Sequence, residues 1–449
     1  MSDRAKEFPK DFLWGTAVCS HQAEGHNVNS DWWAWEQEGK IDDGTVSGPA
    51  SDMLNRYPED FELMESLGYN SFRLSVEWAR IEPERGKYSE EALAHYENVM
   101  KEMRKRNIKV CLTLYHWVLP KWMADSGGWT NSNSIRWFRE YVRRVVYRLY
   151  DYVDIWCTLN EPMVPVLASY VGGVFPPEKK NPILAGMVFR NLLRAHSAAA
   201  GLIRDAAAAR RDSDDPKIGI AMALADVQPV NPDNILDRKL HELMGYFHNE
   251  AFLQAMHTGK PFGVGATIPG LKGSFTYIGA NYYTRFRLDI LQGKKIDRLE
   301  DLLYLPEGAE TTEMGYEVYP TGFYNVLKSI SAYGVPIYVT ENGIADSTDE
   351  KRPGYILRHL NQVHRAISDG IDVRGYFYWT YIDNFEWKYG FSKKFGLVAM
   401  EPGTLNRLPR RSAYLYGKIA KAGKLTPEMA REYAPDVESE LWGCADGCV

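Results

Sequence analysis

Apolar positions fall along this chain in two alternating rhythms. Short dense runs, rich in β-branched and aromatic residues, read as strands: FLWGTAV (12–18), YNSFRLSV (69–76), KVCLTLY (109–115), IWCTLN (155–160), KIGIAMAL (217–224), YIGANYY (277–283), PIYVT (336–340) and VRGYFYWTY (373–381). Between them, apolar residues recur at three- and four-residue steps over 51–68, 89–107, 134–153, 183–211, 236–259, 322–334, 356–370 and 412–423. Several of these stretches stop at glycine, as amphipathic helices do. Eight strands alternating with eight helices predict a parallel α/β sheet, and the number favours closure into a (β/α)8 TIM barrel. The length of 449 residues suits such a barrel with elaborated βα loops. No Pro/Ser-rich linker or low-complexity tract divides the chain. Residues 1–449 are therefore expected to form a single domain, with a barrel core over about 8–421 and a C-terminal extension over about 424–449. The longest irregular stretches, 19–50, 116–133, 163–180, 284–316 and 382–410, follow strand ends, where a barrel builds its site.

Composition narrows the partners. Lys and Arg number 53 against 59 Asp and Glu, a net charge of −6 with no long basic stretch, so nucleic acid and anionic membrane are not expected. No apolar run approaches the roughly 18 residues of a membrane span. The start, MSDRAKEFPKDF, is charged rather than apolar. A cytoplasmic setting follows as the expectation. The cysteine count fits it: five residues, an odd number at wide spacing, with Cys19, Cys111 and Cys157 in or beside apolar runs. The remaining pair, in CADGC (444–448), has no second Cys/His pair near it in sequence. Aromatic residues make up 13%, enough for a large aromatic core and for flat ring faces that stack on sugars.

Polar residues gather where the predicted strands end. Gln22 and Glu24 follow the first strand, Arg73 lies in the second, and Tyr115-His116-Trp117 closes the third. Asn160-Glu161 closes the fourth, Asn281 and Tyr283 lie in the sixth, and Glu341 closes the seventh. Trp379 lies in the eighth, with Glu386 and Trp387 after it. Loop hydration accounts for one or two polar rim positions, not for the same position in most strands. Glu161 and Glu341 each end an apolar run just before a turn-making residue, Pro162 in one case and Asn342-Gly343 in the other. Two carboxylates facing each other across a barrel mouth are the equipment of glycosidic bond cleavage. Other motifs fail: HELMGYFH (241–248) spaces its histidines too far apart for a zinc helix, and GVGATI lacks the third glycine of a dinucleotide turn. No cofactor or metal is expected.

WGTAVCSHQAEG, LTLYHW, TLNEP, GANYYTR, YVTENG and YFYWTYIDNFEW, in this order from about Phe8 to Lys421, resemble the successive signatures of glycoside hydrolase family 1, the retaining β-glucosidase/β-galactosidase family. The resemblance implies that Glu341 is the nucleophile and Glu161 the acid/base, with Arg73 and Tyr283 holding the nucleophile. Gln22, His116, Asn160, Glu386 and Trp387 match the glycone-binding set, and Trp379 would floor the sugar ring. Trp117 and Asn281, at the same rim, complete the expected substrate-binding residues. Glu386 disfavours a phosphorylated glycone. The expected activity is hydrolysis of terminal β-D-glucosyl, β-D-galactosyl or β-D-fucosyl residues from small glycosides or oligosaccharides through a covalent glycosyl-enzyme. Two alternatives stand beside it: a transglycosylating β-glycosidase and a catalytically silent sugar-binding barrel. Homo-oligomer formation is left open. Two positions depart from the common pattern, Met163 and Tyr316, where many members carry Trp on the leaving-group side.

Overall fold

A computed structural model of the protein describes residues 5–212, 214–287 and 303–443. All eight expected strands are present: β1 (Leu13–Ala17), β2 (Ser71–Ser75), β3 (Lys109–Thr113), β4 (Ile155–Asn160), β5 (Ile218–Val227), β6 (Ile278–Phe286), β7 (Ile337–Asn342) and β8 (Val373–Trp379). They pair in chain order and in parallel. β8 pairs back onto β1, from Leu13 opposite Gly375 to Ala17 opposite Trp379, which closes the barrel. Every residue of β4 and of β7 is buried, because one face fills the barrel and the other lies under helices. That double burial is why the strands read as continuous apolar runs.

The helices follow local chemistry. The helix Glu90–Lys105 starts at Ser89, whose hydroxyl accepts the Ala92 N–H at 3.0 Å. Glu90 and Glu91 sit in its first turn and Arg104 and Lys105 in its last, complementing the helix dipole. Its buried residues include Leu93, Tyr96, Met100 and Met103, the stripe that faces the barrel. One expected helix, 236–259, is interrupted. It runs Ile235–Gly245, widens into a π turn at Tyr246–Glu250, and resumes at Ala251–Thr258. The widening turns Asn249 onto the end of β5, where it accepts from Ala225 N (3.1 Å) and donates to Ala225 O (2.8 Å). β5 and β6 also run past their expected ends, to Val227 and Phe286. Asp226, Thr284 and Arg285 interrupt the apolar pattern there, but the backbone ladder continues.

Residues Lys424–Leu425 pair antiparallel with Lys6–Glu7, so the segment before β1 meets the segment after the helix Arg411–Ala422. Two short helices follow, Pro427–Tyr433 and Pro435–Trp442, and Arg358 from the helix Arg352–Ser368 donates to Glu440 at 2.8 Å. Cys444 and Cys448 lie outside the described residues. None of the described helices is long and apolar enough to cross a membrane.

Candidate active site

The C-terminal rim of the barrel collects the twelve residues expected to act on or bind substrate. Asn160 ends β4 and Glu161 follows it; Asn281 and Tyr283 stand on β6, Glu341 on β7 and Arg73 on β2. Trp379 ends β8, His116 and Trp117 follow β3, and Glu386 and Trp387 come from the loop after β8. Gln22 sits on a short helix, Ser20–Ala23. Three of these residues hold left-handed backbone: Trp117 (φ 70°), Glu161 (φ 45°) and Trp387 (φ 48°). Such conformations cost energy in non-glycine residues and persist where neighbours over-determine them. Glu161 is pinned by its own N–H, which donates to Ala221 O at 2.7 Å. Gly343 has no alternative: a Cβ there would fall 1.7 Å from Trp379 O, so only glycine lets the turn after Glu341 press against β8.

Arg73, 1% exposed, is the hub. Its Nη1 donates to Glu341 Oε1 at 2.5 Å and its Nη2 to Asn160 Oδ1 at 2.6 Å, while Nε reaches Thr113 Oγ1 at 3.2 Å. The other oxygen of Glu341 accepts from Tyr283 OH at 2.7 Å. Glu161 Oε1 accepts from Asn281 Nδ2 at 2.8 Å. Because Asn160 spends its oxygen on Arg73, its amino group faces His116 Nε2 at 2.9 Å. That makes Nε2 an acceptor and places the imidazole proton on Nδ1. Gln22 Nε2 donates to Glu386 Oε2 at 3.2 Å. Trp387 packs at 4.7 Å from Trp117, which in turn lies 6.0 Å from Phe175.

These contacts separate the two glutamates electrically. Burial pushes both carboxyls up. For Glu341 the Arg73 cation, the Arg73 and Tyr283 hydrogen bonds and the Asn281 amide oppose burial. Glu161 has Asn281 as its hydrogen-bond donor, and it feels the charge of Glu341; burial and that charge push it up to about 8. The pair therefore favours one arrangement, with the proton on Glu161 and the charge on Glu341. Burial and the same Glu341 charge push Glu386 up to about 8, with Gln22 opposing. Burial and Arg73 hold His116 well below the ordinary imidazole range, so it is neutral.

The site opens into a cavity of about 230 Å³ whose wall includes both glutamates, His116, Asn160, Trp379 and Glu386. Arg73 and Gln22 stand behind that wall, acting on it through Glu341 and Glu386. Gln22 Oε1, His116 Nδ1 and Trp117 Nε1 are buried without a hydrogen-bond partner among the described residues. Buried polar atoms are normally satisfied, so three unspent ones beside one cavity mark a place for a polar ligand. A larger groove, about 720 Å³, lies outside the barrel between the segments 235–258 and 320–331 and contains none of the twelve residues. Among the described residues no group of three or more His, Cys, Asp or Glu side chains could hold a metal ion. Of the two departures noted in sequence, Tyr316 lines the cavity but Met163 does not. Met163 is 3% exposed and packs into the main core, because the turn at Glu161-Pro162 carries its side chain away from the opening. Sequence reading also passed over Phe175 and Thr340, whose apolar or β-branched character gave no sign of a site, and weighed His248, which lines the cavity, only as part of a rejected zinc motif.

A closed (β/α)8 barrel with two unlike carboxylates at its C-terminal rim defines a class, the barrel glycosyl hydrolases. The sequence profile of glycosyl hydrolase family 1 matches residues 4–264 and 265–425, and the chain belongs to that family. It is 32% identical to a β-galactosidase of Pyrococcus woesei, over 95% of this chain and 99% of that one. It is 31% identical to β-glucosidase A of Thermotoga maritima, over 93% and 98%. Among solved structures, the β-glycosidase from Pyrococcus horikoshii superposes with a TM-score of 0.86 at 37% identity, covering 98% of this chain and 99% of that one. The β-glucosidase from Thermotoga maritima in complex with glucoimidazole superposes with a TM-score of 0.85 at 31% identity, covering 94% and 100%.

Proposed function

We propose that the protein hydrolyses terminal, non-reducing β-D-glucosides and β-D-galactosides, with β-D-fucosides as further substrates, and that it retains the anomeric configuration. The observation that carries this reading is the unequal environment of the glutamate pair: Glu341 is gripped by a guanidinium and a phenol, whereas Glu161 is met by a neutral amide. A carboxylate kept charged is a nucleophile, and a carboxyl kept protonated is an acid. In the first step a Glu341 oxygen attacks the anomeric carbon while Glu161 gives its proton to the departing oxygen. The glycosyl ester then removes the charge that had raised Glu161. Glu161 now acidifies and takes a proton from the incoming water, which releases the sugar and restores Glu341. Asn160, His116 and Glu386 offer donors and acceptors for the glycone hydroxyls, Gln22 holds Glu386 in place, and Trp117, Trp379 and Trp387 are apolar faces. A cytoplasmic setting belongs to the same proposal and is supported by the buried free thiols of Cys19, Cys111 and Cys157.

The test uses aryl β-D-glucosides and azide. Glu161→Ala should lose activity on ordinary aryl glucosides and regain it with azide, giving the β-glycosyl azide. Glu341→Gln should fall by far more than tenfold, because a neutral amide cannot form the covalent glycosyl-enzyme. An α-configured first product, or a Glu341→Gln enzyme within tenfold of wild type, would defeat the reading.

A further inference from the structure

Thr340 precedes Glu341 in β7 and is fully buried. Its hydroxyl donates to Asn281 Oδ1 at 2.6 Å. A break in strand register brings this about. Ala280 pairs with Val339, but Asn281 pairs with Glu341, so Thr340 is the extra residue of a bulge. Bulges at barrel rims re-aim side chains in this way. Gly279, on the neighbouring strand, supplies the room, since a Cβ there would lie 2.8 Å from both Thr340 Cγ2 and Oγ1.

Asn281 is thereby fixed in one orientation. Its oxygen takes the Thr340 hydroxyl, and its amino group donates to Asn160 Oδ1 at 3.2 Å and to Glu161 Oε1 at 2.8 Å. Asn160 Oδ1 is itself committed as an acceptor by Arg73 Nη2, and a guanidinium only donates. A flipped Asn281 would set its oxygen against Asn160 Oδ1. The amino group consequently faces Glu161, and Oε1 is held as an acceptor. A proton on that carboxyl is left to Oε2.

We propose that Thr340 is a positioning residue for proton delivery: by holding the Asn281 amide, it confines the acid proton of Glu161 to Oε2, the oxygen left for the leaving group. This rests on the function proposed above. As the anomeric C–O bond breaks, its electron pair goes to the glycosidic oxygen and the proton passes from Oε2 to that oxygen, while a Glu341 oxygen bonds to the anomeric carbon. The Asn281 N–H on Oε1 then steadies the carboxylate that remains.

The experiment compares kcat/KM of wild type, Thr340→Val and Thr340→Ser on two substrates. Dinitrophenyl β-D-glucoside loses a phenolate that needs no proton, and phenyl β-D-glucoside loses one that does. Thr340→Val is expected to slow the phenyl substrate by at least about tenfold, a part of the 10²–10⁴ of general acid catalysis, and the dinitrophenyl substrate by less than about twofold. Thr340→Ser, which keeps the hydroxyl, should restore the phenyl rate. Equal losses on both substrates, or no loss on either, would overturn the assignment. If Thr340→Val does not fold, Thr340→Ala is read the same way, and an unsplit loss again overturns it. A wild-type enzyme inactive on both substrates would instead sink the hydrolase reading itself.

Discussion

Glu161 and Glu341 are chemically identical side chains that differ only in what they touch. That difference sets a pH dependence with a definite sign. Glu161 must hold its proton to act as an acid, and it is pushed up to about 8 by burial and by Glu341. In the free enzyme kcat/KM should therefore fall as pH rises through about 8, and fall again at low pH when Glu341 takes a proton. Glu386 is also pushed up to about 8, so the basic limb has two candidate owners. Glu161→Gln assayed on dinitrophenyl β-D-glucoside separates them: the basic limb should disappear, and its persistence would assign it to Glu386. At this scale much was legible. The types and strand-end positions of Arg73, Tyr283, Asn160 and both glutamates pointed to the site before any geometry was known. Thr340 was not legible, because a β-branched residue inside a strand has an ordinary explanation. Met163 misled for the opposite reason. The Trp that many family members carry at its position suggested the leaving-group side, while the left-handed turn at Glu161 sends it into the core.

The segment after β4 shows what an element adds. Residues Pro165–Gly172 form a π helix, a wide turn frequent at functional sites. Val164 and Ala168 from this region, then Val174 and Phe175, face the cavity on the chain that follows Glu161. On the proposed mechanism the leaving group takes its proton from Glu161 and meets this wall, which is apolar in all four residues. An alkyl or aryl leaving group should be preferred over a second sugar. Ala168→Asn is expected to shift the kcat/KM ratio between hexyl β-D-glucoside and cellobiose toward cellobiose by about fivefold, the scale of one net hydrogen bond of about 1 kcal/mol. An unchanged ratio would remove this segment from leaving-group selection. The helix itself was not foreseen. Its composition reads as an irregular loop, and the π geometry depends on how the chain leaves the turn at Glu161. The π turn at Tyr246–Glu250 was missed for a related reason: periodicity continues through it, and the Asn249–Ala225 bonds that go with it are tertiary.

Across the whole molecule, stability and chemistry occupy different places. Asp60, with no exposed surface, receives Arg407 through two bonds of 2.7 and 2.8 Å and the Tyr381 hydroxyl at 3.2 Å. This ties the helix Met53–Leu67 to the ribbon formed by Val398–Met400 and Arg407–Pro409. Breaking a buried pair from one side leaves an uncompensated charge, so Arg407→Ala should cost about 3–5 kcal/mol in chemical denaturation. Neither residue lines the cavity, so kcat/KM at low temperature should stay within about twofold of wild type, as for sites that share no partners. A loss of activity without a loss of stability would show that the pair supports the site instead.

Local patterning alone determined the order and kind of the barrel elements, because strands buried on both faces and helices with one apolar stripe must be written into consecutive residues. It also placed the polar rim, since strand ends are local features. Tertiary structure decided the rest. Which glutamate holds the proton depends on Arg73 from β2 and on Tyr283 and Asn281 from β6. The orientation of Asn281 depends on a bulge between two strands, and the face that Met163 presents depends on one left-handed residue. These are matters of distance between remote segments, and distance exists only once the sheet has closed.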